Sequence, residues 1–246
     1  MFIILSIKGV VGPLPLWLHY FTAYGPMLSA IIVVKLSRGG EGIRSLLRGT
    51  IKWNVGVGWI LIAFSPVALF AFGVIITYLF ARQIPNLSLL GKINFLPNLG
   101  ILAFPIWILT SGIGEETGWR GFALPRLQKN MGALGAAVVV GLFWALWHVP
   151  AFFYLPNYMK MGLASFPGLA FGIIAGSILL TWLYNSTRGS ILMAILWHGA
   201  FNFVTASKAG EGTAAMITSI LVMVWAILIV LILGPRNLSA LEKQQI

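Results

Sequence analysis

The chain has no cysteine and no aspartate, and its five acidic residues, all glutamate, face sixteen lysines and arginines. Without cysteine, disulfides, thiolate metal sites and a cysteine nucleophile are excluded, and the redox compartment cannot be read. Charge is scarce overall. Of the 246 residues 9% are charged and 59% are hydrophobic, where a soluble domain carries roughly 25% charged residues. A net charge of +11 would in a soluble chain point to nucleic acid or an anionic surface. Here the mean hydropathy is +0.94 and the basic residues are scattered between apolar runs, which argues against a nucleic-acid partner.

What is present is apolar sequence in lengths that suit a bilayer. Seven segments read as membrane helices by length and apolarity, roughly 14–36, 53–81, 99–128 (apolar only in its first half), 131–155, 164–184, 190–206 and 213–234, against the about 20 residues that a span requires. Residues 1–12 are apolar but too short to span, and Lys8 interrupts the run, unlike a cleaved signal peptide. They read as the end of a further helix or as an interfacial stub. The expectation is an all-α polytopic membrane protein. It is a bundle of seven to eight transmembrane helices with a membrane-embedded polar cavity, forming one domain over 1–246.

The loop 35–52 is the strongest orientation signal, with Lys35, Arg38, Arg44, Arg48 and Lys52 against Glu41. Ile43, Leu46, Leu47 and Ile51 recur at helical spacing, so part of this loop is expected to lie on the membrane surface. The positive-inside rule puts it in the cytoplasm. Alternating from there, Arg120, Arg126, Lys129, Arg188, Arg236 and Lys243 share its side, while Lys8, Arg82, Lys92, Lys160 and Lys208 lie opposite. A multi-pass protein of the cell membrane is predicted, with the cavity opening toward the cytoplasm.

Three of the acids, Glu41, Glu211 and Glu242, fall in loops or the tail and read as solvated. Glu115 and Glu116 do not. They sit halfway along an apolar helix, in the run Ser111-Gly112-Ile113-Gly114-Glu115-Glu116-Thr117-Gly118-Trp119-Arg120. An ionisable side chain at that depth costs about 2.5–3.5 kcal/mol on insertion scales and marks a function or a pair. Glu116 and Arg120 are i and i+4, so they share a face and can pair. Glu115 points about 100° away and has no local partner. It is expected to enter the cavity.

The following helix carries Trp144-x-x-x-His148 and then Pro150. Pro150 removes a backbone donor and should kink the helix beside His148. Trp144 shares the His148 face and can wall the cavity. If the two helices turn near residue 130, Glu115 and His148 lie about 15 and about 18 residues from the turn, matched in depth within about 5 Å. His198 and Asn202 form another i, i+4 pair. They reach the same level if the hairpin protrudes roughly 10 Å into the cytoplasm. A lone histidine in an apolar helix is ordinarily a satisfied core residue. Two histidines, an asparagine and a glutamate at one depth read as a site. His19 has no such company and reads as interfacial.

A glutamate and a histidine can deprotonate a water for attack on a carbonyl, and a second histidine with an asparagine can donate to the oxyanion. That set needs no nucleophilic side chain. The same residues leave a metal open: Glu115, His148 and His198 could form a His₂Glu zinc triad, although H-E-x-x-H is absent. No G-x-S-x-G or S-x-x-K pattern supports serine chemistry near these residues. A proton-linked transporter could also use buried glutamate and histidine, but it has no need of an oxyanion donor.

Glu115-Glu116-x-x-x-Arg120, an aromatic-x-x-x-His148 and His198-x-x-x-Asn202, in this order on separate membrane helices, resemble the CPBP family. This is the CAAX protease and bacteriocin-processing, or Abi, family, which includes the type II CAAX prenyl endopeptidases. The similarity runs over about 25–205 and takes in Gly25-Pro26 ahead of the basic loop. The resemblance implies an intramembrane endopeptidase acting on a membrane-anchored or lipidated peptide or protein. Glu115 and His148 would activate water, His198 and Asn202 would stabilise the oxyanion, and Glu116 and Arg120 would support them. Members are often labelled metalloproteases, though a metal-free glutamate mechanism suits the same residues. One departure is that the family has Phe four residues before the histidine, where this chain has Trp144, so a prenylated CAAX substrate is not implied. The alternative is a non-catalytic bacteriocin-immunity or membrane scaffold protein using the same fold.

Overall fold

The computed structural model describes residues 9, 12, 15–93 and 98–246. The expectation for residues 1–12 therefore falls almost wholly outside the described residues, as does the first residue of the 14–36 span. All regular structure among the described residues is helical.

Helix α1, Gly25–Thr50, starts on Pro26, whose fixed φ suits a first helical turn. It breaks at Gly39 (φ 61°, ψ −150°), a conformation open to glycine. Beyond the break Leu46 turns into the core, while Leu47 and Ile51 stay exposed. Helices α2 (Val57–Ala63) and α3 (Ser65–Ala81) meet at a 49° bend, with Pro66 in the first turn of α3.

The long segment 103–130, here α4, is not one regular helix. An α-turn Ala103–Trp107 passes into π-helix over Ile108–Glu115, an α-turn Glu116–Gly118, π-helix again over Trp119–Ala123, and α-helix Leu124–Asn130. Such wide turns gather at functional sites. Helix α5, Ala133–His148, ends at the expected place, but as a change of pitch. The chain continues in 3₁₀ turns over Val149–Phe153 because Pro150 cannot donate to the α ladder. Helices α6 (Pro156–Met161), α7 (Phe166–Ser186), α8 (Ile191–Thr205) and α9 (Thr213–Leu233) follow.

Among the described residues, four helices can cross a membrane by length and composition: Leu16–Thr50, Ala133–Phe153, Leu163–Ser186 and Thr213–Leu233. The bent α2–α3 pair makes a fifth if counted as one span. The remaining two of the seven expected spans are present as α4 and α8 but do not qualify. Helix α4 is broken by its π turns and carries Glu115, Glu116 and Arg120. Helix α8 has 15 residues, about 22 Å against a hydrocarbon core of about 30 Å.

These two helices pack against each other and against α1 and α3, so the helices least suited to lipid meet protein instead. Glycines permit the approach. A Cβ on Gly114 would stand 2.5 Å from the Ala23 carbonyl oxygen, one on Gly118 2.6 Å from that of Pro26, and one on Gly199 would strike the Ile108 side chain. Ala23, Tyr24 and Pro26 are thus the surface on which α4 rests, while Gly25 gives room to Trp147 of α5.

Contacts join some members of each of the two groups that alternation assigned, but Arg120 is buried in the core instead and Lys8 lies outside the described residues. In one, Lys52 Nζ donates to the Arg188 carbonyl (2.7 Å), Lys243 Nζ to that of Met131 (2.6 Å), and the Ala133 amide to that of Arg236 (2.8 Å). In the other, the Lys208 amide donates to the Lys92 carbonyl (2.9 Å).

Candidate active site

Glu116 and Arg120 are both fully buried, at 0% exposure. Arg120 Nη1 donates to Glu116 Oε1 at 3.0 Å and lies 2.9 Å from Oε2. The expected i, i+4 pair forms because Glu116–Gly118 is a true α-turn between the π segments. His198, from α8, adds a second partner, with Nδ1 2.8 Å from Glu116 Oε1. An ionised carboxylate only accepts, so Nδ1 carries the hydrogen and Nε2 points elsewhere. Glu116 therefore joins α4 to α8. The sequence does not show that the partner of His198 is this glutamate.

Glu115 retains 7% exposure. Its Oε2 accepts a 2.6 Å hydrogen bond from the Trp144 indole N–H, and its Oε1 has no hydrogen-bond partner among the described residues. Trp144 does more than wall the site. Its backbone carbonyl accepts from His148 Nδ1 (2.8 Å), which fixes Nδ1 as donor and leaves Nε2 unengaged. Its indole stands edge-on to the His198 ring at 5.1 Å, and the Arg120 guanidinium lies 4.8 Å from its centre, within cation–π range. That contact matters because Arg120 Nε and Nη2 have no hydrogen-bond partner among the described residues.

Asn202 hydrogen-bonds none of these side chains among the described residues. Its Nδ2 donates to Ser111 Oγ (2.9 Å), one face-turn before Glu115 on α4. Nothing in the sequence singles out Ser111, because the π turns of Ile108–Glu115 remove the α period that would tie it to Glu115. Two further residues escaped the sequence reading. Tyr158, on α6, stacks on His148 with centroids 6.2 Å apart. Burial, and after it the charge of Glu115, push its hydroxyl above the usual tyrosine range. Tyr154 hydrogen-bonds His19 Nδ1 at 2.6 Å, so His19 is a partner in this neighbourhood. Neither tyrosine follows a helical period from His148, because the 3₁₀ turns and Pro156 intervene. Glu41, Glu211 and Glu242 are exposed.

The zinc triad can be tested on this geometry. Among the described residues no three histidine or carboxylate side chains are close enough together to hold one metal ion. Both histidines keep Nε2 free and Glu115 keeps Oε1 free, as metal ligands would, so it is the spacing of the three side chains that fails to suit one ion. The arrangement does not fit a His₂Glu site.

Residues 97–204 match the family model described as type II CAAX prenyl endopeptidase Rce1-like. This stretch holds every residue of the site from Ser111 to Asn202. The chain is also 34% identical over 113 residues to CAAX prenyl protease 2 of Methanococcus maripaludis. That alignment covers 44% of this chain and 40% of the relative, less than half of either. Together with the helical fold, these matches make the chain similar to CAAX prenyl proteases over less than half of its length.

Proposed function

We propose that the chain is an intramembrane endopeptidase that hydrolyses a peptide bond in a membrane-anchored substrate. The observation that carries this reading is the pair of unengaged basic atoms, Glu115 Oε1 and His148 Nε2, on side chains whose other polar atoms are held through the single residue Trp144. A water between them can lose a proton to Glu115 as it attacks the scissile carbonyl. The proton then passes to the departing amine.

The oxyanion needs donors. Asn202 Nδ2 has two hydrogens and Ser111 takes one, so the other is free to donate. His198 can donate from Nε2 only as imidazolium, and Glu116 is the counter-ion placed to accept its Nδ1 hydrogen. Arg120 keeps that carboxylate oriented. The substrate class follows from the relative's printed name, CAAX prenyl protease 2, and from the membrane setting. A prenylated or otherwise lipid-anchored C-terminal peptide is the first substrate to offer, and a cytoplasm-facing opening is the side to offer it from.

The test is turnover of such a peptide in proteoliposomes. Glu115→Gln and His148→Ala should each lower kcat roughly 10²–10⁴-fold, and Asn202→Ala about 10²–10³-fold, with unfolding midpoints near wild type. Cleavage by Glu115→Gln at the wild-type rate would overturn the reading and leave a binding role for the fold.

A further inference from the structure

On the side where the larger group of basic loops gathers, a cavity of about 160 Å³ lies between α1, α4, the α7–α8 turn and the last residues of the tail. Arg38 of α1, Arg126 of α4 and Arg188 of the turn line it, and no glutamate side chain does. Among the described residues none of these three arginines is in an ion pair.

The cavity is held in shape from several sides. Arg126 Nη1 donates to the Phe122 carbonyl (3.0 Å), and its guanidinium lies 3.8 Å from the centre of the Phe122 ring. Arg188 has φ 53°, a left-handed conformation uncommon for a residue with a Cβ, and its carbonyl is fixed by Lys52. The facing wall is the tail. The Gln244 amide donates to Asn185 Oδ1 (3.1 Å), and its carbonyl accepts from Gln128 Nε2 (2.6 Å). Gln128 and Asn185 are both fully buried and also bond each other.

Ile246, the last residue of the sequence, also lines the cavity, and its carboxylate would offset one of the three like charges, leaving a positive excess that favours an anion. The planar fork of arginine matches the oxygens of a phosphate, and basic pockets between membrane helices bind anionic headgroups. We propose that this cavity is a phosphate-binding site formed by Arg38, Arg126 and Arg188, its ligand being the headgroup phosphate of an anionic membrane lipid or phosphate free in solution. The site is independent of the proteolytic reading, since none of its arginines belongs to that centre.

The experiment is native mass spectrometry of the full chain from micelles containing equal phosphatidylglycerol and phosphatidylcholine, repeated with added inorganic phosphate. Two variants are compared with wild type: Arg38→Gln/Arg188→Gln, which changes only exposed side chains, and the same pair with Arg126→Gln. Wild type should retain phosphatidylglycerol over phosphatidylcholine by about tenfold, and the double variant should lose that preference. A lipid preference in wild type that the variants lack assigns the site to a headgroup. Retention of inorganic phosphate by wild type alone, without lipid preference, assigns it to the free ion. Equal behaviour of wild type and both variants toward both probes overturns the proposal. Circular dichroism melting of the double variant separates loss of ligand from loss of fold.

Discussion

At Trp144 one side chain serves three neighbours. Its N–H holds Glu115, its carbonyl holds His148, and its ring lies against Arg120 and His198. Only the N–H is particular to tryptophan, because phenylalanine would keep the carbonyl and most of the ring. Trp144→Phe should therefore lower kcat about 10- to 100-fold, the worth of one hydrogen bond to a charged group, with KM and melting temperature little changed. Unchanged kcat would show that the indole hydrogen bond does not matter to turnover. The Glu116–Arg120 pair makes a different prediction. Both side chains are at 0% exposure, so Arg120→Met strands a buried carboxylate and should cost about 3–5 kcal/mol. Pairing it with Glu116→Leu should recover part of that loss. Equilibrium unfolding of the single and double variants measures both.

Among the elements, α4 is set by how closely it rests on α1. Gly118→Ala would place a Cβ 2.6 Å from the Pro26 carbonyl oxygen and should destabilise by about 1–3 kcal/mol. Gly168→Ala in α7, where a Cβ meets nothing within 4 Å, should instead be neutral or stabilise by up to about 1 kcal/mol. Comparing the two melting temperatures checks the close approach. Helix α4 also shows what could and could not be read from the letters. The spacing of Glu116 and Arg120 was legible because the α-turn between them keeps the ordinary period. The π segments were not: nothing in Ile108–Glu115 distinguishes a five-residue hydrogen bond from a four-residue one. Depths counted at a uniform α rise along α4 do not allow for them. The levels of His148 and His198 could be counted along single helices. Their partners could not, because Trp144 to Glu115 and His198 to Glu116 are contacts between helices, decided by packing.

For the molecule as a whole, the absence of cysteine gives a clean background for mapping sides. If the two groups of basic loops lie on opposite faces of the bilayer, cysteines introduced as Ser37→Cys and Lys129→Cys should react with an impermeant maleimide from one face, and Ser88→Cys and Lys208→Cys from the other. Labelling of all four from one face would refute the alternating topology. The central ion pair also has a bearing on biogenesis. Helix α4 is synthesised before α8, and a lone charge entering the bilayer is costly. Glu116 and Arg120 lie on the same helix, so α4 arrives at the translocon with its counter-ion already attached. His198 is translated later and can join only when α8 is in place. The centre would then be completed in two steps, a salt bridge made within one nascent helix and a histidine that seals it once the bundle has closed.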